Sequence, residues 1–277
     1  MDPDPSLGAF VQEVEGSEAR IDLARAALLM ARMEYPRLDV AEHLSRLEAL
    51  AQGAPAAARR GDDLGRLHRL REYLFEDLGF AGNRRDYYDP RNSCLNDVLD
   101  RRLGIPITLS LLLIEVGRRL DLAIEGVGLP GHFIARARVG DGQILLDPFD
   151  GGAILTHEAC TDLVERATGR QVPLTDAAFA PVPGRQMLAR MLNNLKGIYW
   201  QREDWTRVVA VIDRLLVLTP GAAAERRDRG LALAQLGDYR RGLADWERYL
   251  TEVPNAPDGE RVRGHLRRVR QKLAELN

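Results

Sequence analysis

Five histidines and two cysteines are the side chains of this 277-residue sequence best suited to acid–base, nucleophilic or metal chemistry. No HExxH, CxxC or paired Cys/His pattern occurs among them, so we expect no metal site, no cofactor and no disulfide framework. The sequence places two polar side chains near each other. His132 precedes one short apolar run, Asp147 closes the next, and the Gly-Asp-Gly at 140–142 between them is typical of a hairpin turn. Pairing of the two strands would bring His132 and Asp147 side by side.

Hydrophobic periodicity predicts the elements that carry this hairpin. Residues 21–78 contain three apolar stripes at helical spacing, which indicates a helical N-terminal region over 1–82. The run 109–120 is apolar on almost every side, which predicts a buried central helix that begins near Pro106. Short apolar or alternating runs predict the strands of a small antiparallel sheet, at 124–128, 133–139 and 143–146. Helices followed by such a sheet predict an α+β core domain over 83–168.

The C-terminal part of the chain repeats itself. Residues 195–220 align with residues 229–254 without a gap at a shift of 34 residues. A helix–turn–helix period of this length is typical of tetratricopeptide (TPR) repeats. We therefore expect a linker over 169–184 and an all-α TPR-type solenoid over 185–277, closed by a capping helix at 260–276.

TPR arrays usually bind peptides on a concave surface, and aromatic side chains contribute strongly to protein interfaces. The aromatic residues of the repeats are therefore candidates for partner binding: Tyr199, Trp205, Tyr239 and Trp246.

Three blocks of the sequence resemble the SirB family of transglutaminase-like proteins. They are RNSCLNDVLDRRLGIPITLSLLLIEVGRRL at 91–120, GVGLPGHFIARA at 126–137 and LLDPFDGG at 145–152. That family joins a degenerate transglutaminase-type core to C-terminal TPR units, and the resemblance extends over residues 20–260. It implies a papain-like core with a small antiparallel sheet, followed by the repeats.

The resemblance also implies roles for individual residues. Active members of the wider transglutaminase and papain-like group use a cysteine thiolate at a helix N-terminus, a histidine base and an aspartate that orients the histidine. His132 matches the base. Asp147 matches the orienting carboxylate, which would accept the Nδ1 proton of His132. The cysteine would fall near Pro106, where residues 104–108 contain no thiol and Thr108 as their one hydroxyl.

Two side chains are left as candidate nucleophiles, Thr108 and Cys94. Cys94 precedes a predicted helix, whose dipole would favour a thiolate, but the same position suits a small buried packing residue. We therefore expect a catalytically degenerate protein that binds a protein or peptide partner through its core cleft and its TPR surface. The alternative is an acyl-transfer or amide-hydrolysing enzyme that uses His132 and Asp147 with Cys94 or Thr108.

Composition and charge restrict the remaining classes of partner. The chain is 45% hydrophobic and 29% charged with a formal net charge of −2, which favours neither nucleic acid nor an anionic membrane. A basic run at 261–272 lacks interleaved aromatic residues and predicts a solvated helix face. No apolar run approaches the ~20 residues that span a bilayer, and the start MDPDPSLGAF lacks a signal-peptide pattern. We expect a cytoplasmic protein with no membrane partner.

Overall fold

The computed structural model describes residues 5–275 of the chain. Residues 1–4, which begin the segment that lacks a signal-peptide pattern, lie outside the described part. Residue 276, the last of the expected capping helix, also lies outside it. The chain divides into two compact units. We call residues 13–191 the core unit, and residues 1–12 together with 192–277 the repeat unit.

The first half of the core unit is helical, as the apolar stripes predict. Aspartate side chains accept backbone N–H groups at the N-termini of three of these helices, at distances of 2.7–3.0 Å for Asp22, Asp39 and Asp62. A π-helical turn at Tyr73–Asp77 extends the last helix. The helices are α1 (Pro5–Val14), α2 (Leu23–Ala31), α3 (Val40–Gly53), α4 (Ala56–Arg59) and α5 (Asp63–Glu72). Helix α1 begins in the repeat unit and ends in the core unit.

Two further helices follow, α6 (Leu95–Arg101) and α7 (Pro106–Arg119). Every residue of α7 from 106 to 117 is buried, which confirms the predicted central helix. Its single acid, Glu115, is 3% exposed and forms ion pairs with Arg118 at 2.9 Å and Arg119 at 2.6 Å. These pairs offset the cost of taking a carboxylate out of water.

A four-stranded antiparallel sheet packs next to α7. Its order is β3-β4-β5-β6, formed by β3 (Ile124–Val127), β4 (Ile134–Val139), β5 (Gly142–Asp147) and β6 (Ala153–Leu155). Val139 pairs with Gly142 across a tight turn in which Gly140 has φ 54°, a left-handed conformation that suits glycine. The α+β prediction is confirmed. Two elements were not predicted, β6 and a parallel pair of two-residue strands, β1 (Ala81–Gly82) and β2 (Leu103–Gly104), because they are too short to show a period.

Helix α8 (His157–Thr168) and the residues after it also belong to the core unit. The sequence predicts a linker over 169–184, and the last part of this segment runs beside β3, where Pro181 pairs with Val127. There the Val182 N–H donates to the Gly126 carbonyl at 2.9 Å, and Phe179 is 3% exposed within an apolar cluster that includes Val127 and Cys160. Helix α9 (Gly184–Gln201) begins directly after this segment.

The repeat unit shows the 34-residue period in its backbone. Its helices after α9 are α10 (Trp205–Leu218), α11 (Ala223–Gln235), α12 (Tyr239–Glu252) and α13 (Gly259–Glu275). The N–H groups of Asp204 and Asp238 donate to carbonyls five residues earlier at 2.9 Å, and each carboxylate then caps the next helix. Each aspartate follows a residue with positive φ, Glu203 at 55° and Gly237 at 79°. The predicted repeat is thereby confirmed.

The N-terminal helix contributes its first residues to the repeat unit. Phe10 is fully buried, and the guanidinium of Arg214, which is also fully buried, lies 5.9 Å from the centre of the Phe10 ring. Arg214 donates to the Ser6 hydroxyl at 2.6 Å and to the Ala210 carbonyl at 3.0 Å. A buried guanidinium needs such acceptors, so α1 and α10 depend on each other.

Candidate functional site

His132 and Asp147 meet where the start of β4 lies beside the end of β5, the two inner strands of the sheet. His132 stands two residues before β4, and Asp147 is the last residue of β5. The Nε2 atom of His132 lies 3.0 Å from Oδ1 and 3.1 Å from Oδ2 of Asp147. The two side chains are 11% and 3% exposed. Asp147 also accepts the Phe149 N–H at 3.0 Å, which fixes the carboxylate. The bond uses Nε2 and not the expected Nδ1, so Nδ1 faces away from the aspartate.

Arg190 of α9 holds the loop that presents His132. Its Nη2 atom donates to the carbonyl oxygens of Leu129 and His132, each at 2.9 Å. The guanidinium carbon lies 5.3 Å from the centre of the Phe133 ring. Burial lowers the pKa of Arg190, because the charged form loses solvation. The Arg190 guanidinium is half-buried and lies against the backbone of residues 129–132.

Aromatic rings line the other side of His132. The Phe149 ring is edge-on to the His132 ring at 6.1 Å between centres, and the Tyr87 ring is edge-on to Phe149 at 5.9 Å. Gly82 allows this arrangement, because a Cβ atom there would lie 2.5 Å from the Phe149 ring. The Arg84 guanidinium covers Phe149 at 5.0 Å.

The hydroxyl of Thr108 is engaged in a structural network. It donates to the Asn92 carbonyl at 2.7 Å and accepts the Ile105 N–H at 3.1 Å, with Thr108 fully buried. The Asn92 side chain in turn donates to the carbonyls of Asp86 at 2.7 Å and Tyr87 at 3.2 Å. Thr108 thus anchors the loop that carries Tyr87, and its proton is not directed at His132.

The two thiols are both buried. Cys94 occupies the position before α6 and is 1% exposed. Burial raises the pKa of its thiol, and the negative charge of Asp97 adds to that shift, so the helix dipole does not produce a thiolate. Cys160 is fully buried in the apolar cluster of the core unit, and burial raises the pKa of its thiol to about 11. Within residues 5–275, neither sulfur forms a hydrogen bond with the His132 ring.

The aromatic candidates of the repeat unit differ in accessibility. Tyr199 and Trp246 are each 2% exposed, and Trp246 packs against His265 at 5.3 Å between ring centres. Trp205 and Tyr239 are half-buried at equivalent positions of the two repeats. The surface that a partner could reach therefore includes Trp205 and Tyr239, whereas the side chains of the other two belong to the core of the unit.

Sequence reasoning missed three side chains beside His132. Phe149 follows Asp147 by two residues, and Tyr87 is one of two adjacent tyrosines in a polar turn, so both had a local signal. Arg190 lies on a different element 58 residues from His132, and no local pattern connects the two.

Metal binding and membrane insertion find no support in the described part of the chain. Between residues 5 and 275, no group of three or more His, Cys, Asp or Glu side chains could hold a metal ion. Over the same residues, no helix combines the length and apolar character that crossing a bilayer requires.

Comparison with known proteins agrees with the fold. Residues 41–193 match the family model of the transglutaminase-like superfamily, and residues 195–267 match a tetratricopeptide repeat family. The chain therefore belongs to the transglutaminase-like superfamily and carries C-terminal TPR repeats, as the resemblance implied.

Its relatives include proteins of the SirB group, so that resemblance is confirmed too. A UPF0162 protein of Xylella fastidiosa is 41% identical over 255 residues, covering 89% of each chain. A UPF0162 protein of Vibrio cholerae is 27% identical over 242 residues, covering 87% of this chain and 89% of the relative. Protein SirB1 of Salmonella typhimurium is 26% identical over 252 residues, covering 90% and 91%.

Proposed function

We propose that this protein is a catalytically inactive, cytoplasmic member of the superfamily that binds a protein or peptide partner through its core site and its TPR surface. One observation carries the proposal. His132 is held by Asp147 through Nε2, while Nδ1 has no thiol or hydroxyl partner among residues 5–275. A His–Asp pair without a nucleophile orients a ring but starts no acyl transfer.

The chemistry of the two candidate nucleophiles supports inactivity. A general base must lie within hydrogen-bond reach of the proton that it removes. The Thr108 hydroxyl has the Asn92 carbonyl at 2.7 Å and the Ile105 carbonyl at 3.1 Å as acceptors. The Cys94 thiol is kept neutral by burial. Pro106, where the resemblance places the nucleophilic cysteine, begins α7 and has no reactive atom.

Accessible aromatic side chains support binding. Tyr87 is 38% exposed and Tyr88 is 64% exposed. The Tyr87 ring contacts the rings of both Tyr88 and Phe149, and Phe149 in turn contacts the His132 ring. Tyrosine and tryptophan bury much area at little entropic cost and are enriched at the centres of interfaces. In the repeat unit, Trp205 and Tyr239 supply the same chemistry on the scaffold of a TPR array.

Inactivity is tested by assays of amide hydrolysis and amine transfer with the wild type and His132→Ala. We expect no turnover above background from either protein. Iodoacetamide labelling at pH 7 should modify Cys94 far more slowly than it modifies a free thiol of pKa ~8.5. Turnover that His132→Ala abolishes would overturn the proposal in favour of an enzyme.

Binding is tested by capture of partners from a native lysate on immobilised full-length protein. A double variant of Tyr87 and Tyr88 to alanine, and another of Trp205 and Tyr239 to alanine, should each lose captured protein. The matched control is Leu64→Ala, which removes an apolar side chain that is 43% exposed outside both surfaces. Equal capture by all four proteins would contradict the proposal.

A further inference from the structure

We propose that the core site recognises a carboxylate of its peptide partner, and that Arg190 is the group that binds it. This inference rests on the proposed function and specifies the chemistry of the ligand at the same site. The ligand is a peptide segment in which a carboxylate adjoins an aromatic or apolar side chain.

The charge of Arg190 is not neutralised by the protein. Within residues 5–275, no Asp or Glu forms an ion pair with it, and the one ionisable group that acts on its charge is the Tyr87 phenol. By contrast, Arg136 on neighbouring β4 is also half-buried and pairs with Glu125 at 2.7 Å. A guanidinium removed from water without a counter-ion provides a favourable place for an anion.

Arg190 keeps donors available while its position is fixed. Nη2 is saturated by the Leu129 and His132 carbonyls at 2.9 Å. Nε and Nη1 have no acceptor within residues 5–275, and they are not among the buried atoms without a partner, so solvent reaches them. The side chain is therefore preorganised, which reduces the entropic cost of binding.

The surroundings of Arg190 favour a carboxylate over a more highly charged anion. Its Nη2 contacts the His132 backbone, and the His132 ring is paired with Asp147, whose negative charge opposes a dianion. The planar guanidinium matches a carboxylate geometrically. The rings of Phe149 and Tyr87 beside His132 provide contact area for an aromatic or aliphatic side chain next to the charge. The free Nδ1 of His132 offers a second polar contact.

Gly128 leaves room for the guanidinium. A Cβ atom at this position would collide with Nη1 of Arg190 and would lie 3.2 Å from Cγ1 of Val182. Gly128 has no positive φ, so alanine is compatible with its backbone. Gly128→Ala should therefore displace Arg190, the flexible partner, without unfolding the core.

Three peptides test the inference with the full chain. Acetyl-Ala-Phe carries a C-terminal carboxylate, acetyl-Phe-Glu-amide carries a side-chain carboxylate, and acetyl-Ala-Phe-amide carries none. Titration followed by NMR of the histidine ring protons gives the three dissociation constants. We expect at least one carboxylate peptide to bind about tenfold or more tightly than the amide. The better of the two identifies the source of the carboxylate.

Variants assign the preference to Arg190. Arg190→Gln and Gly128→Ala should remove the preference for the carboxylate, Arg190→Lys should keep part of it, and the control Arg136→Gln should keep all of it. Thermal melts establish that each variant is folded. A carboxylate preference that survives Arg190→Gln overturns the inference, as does equal binding, or no binding, of all three peptides to the wild type. The capture experiment with the aromatic variants decides the proposed function separately.

Discussion

Replacing Thr108 by valine separates a structural role of this hydroxyl from a catalytic one. The substitution keeps the shape of the side chain and removes the oxygen that donates to the Asn92 carbonyl at 2.7 Å and accepts the Ile105 N–H at 3.1 Å. Thr108 is fully buried, so water cannot replace the lost oxygen. Each backbone group left without a partner costs about 1–3 kcal/mol. We expect Thr108→Val to lower the free energy of unfolding of the core unit by about 2–4 kcal/mol.

Two variants on the same helix serve as controls. Thr108→Ser keeps the hydroxyl and removes one methyl group, which costs about 1 kcal/mol. Ser110 is also fully buried, but its hydroxyl has no partner within residues 5–275, so Ser110→Ala should be neutral or stabilising. The three variants therefore have a fixed order of stability, with Thr108→Val the least stable.

The assay must report on the core unit. All three tryptophans, at 200, 205 and 246, lie in the repeat unit, so their fluorescence follows that unit alone. Hydrogen exchange of the α7 amides, measured at increasing urea concentrations, reports the stability of the core unit. If Thr108→Val is as stable as Ser110→Ala, the hydroxyl makes neither bond, and Thr108 is available as a nucleophile after all.

Three further predictions concern the repeat unit. Glu203→Gly should stabilise the repeat unit by about 0.5–1 kcal/mol in urea melts followed by tryptophan fluorescence. Glu203 has φ 55° where the second repeat has Gly237, and a left-handed conformation costs a residue with a side chain about 1–2 kcal/mol. A destabilised variant would contradict this. Phe10→Ala should lower the free energy of unfolding by about 3–5 kcal/mol in the same assay, because Phe10 is fully buried. A fragment of residues 185–277, which lacks Phe10, should be marginally stable or self-associating. A cooperatively folded monomeric fragment would argue against a structural role of α1. The hydrogen bond that the Tyr249 hydroxyl donates to Asp258 at 2.5 Å, together with Arg227, lowers the pKa of Asp258 in the folded protein. The carboxylate therefore stabilises the fold above its unfolded pKa of ~3.9, and this stabilisation is lost as the pH falls through the folded-state pKa. Asp258→Asn should therefore be less stable than wild type at pH 7, with a difference that shrinks below pH 4; an unchanged difference would rule out the carboxylate as its cause.

Much of the fold could be predicted because its elements carry local patterns. Helix α7 is apolar on all sides, and a helix of that kind must be buried wherever the chain places it. The hairpin from β4 to β5 follows from alternating residues around a turn signal. Strands β1 and β2 are two residues long, and each is defined by its pairing with the other, as between Gly82 and Gly104. Neither segment is long enough to show a strand pattern in the sequence.

The sequence by itself determined the pair at the centre of the site. His132 and Asp147 flank one hairpin, and the register of a hairpin is set locally by its turn. Residues 104–108 likewise determine, by their types alone, that no thiol stands at the start of α7. The family resemblance then assigned the roles that these residues would have in an enzyme.

Only the tertiary structure decided what surrounds that pair. Burial raises the pKa of the Cys94 thiol, although the position before a helix suggested the opposite, because desolvation depends on every element packed around the sulfur. Thr108 is committed to Asn92, which comes from a different element, and Arg190 reaches the His132 loop from α9. Contacts between distant segments leave no periodicity in either segment, so their geometry appears only when the chain is folded.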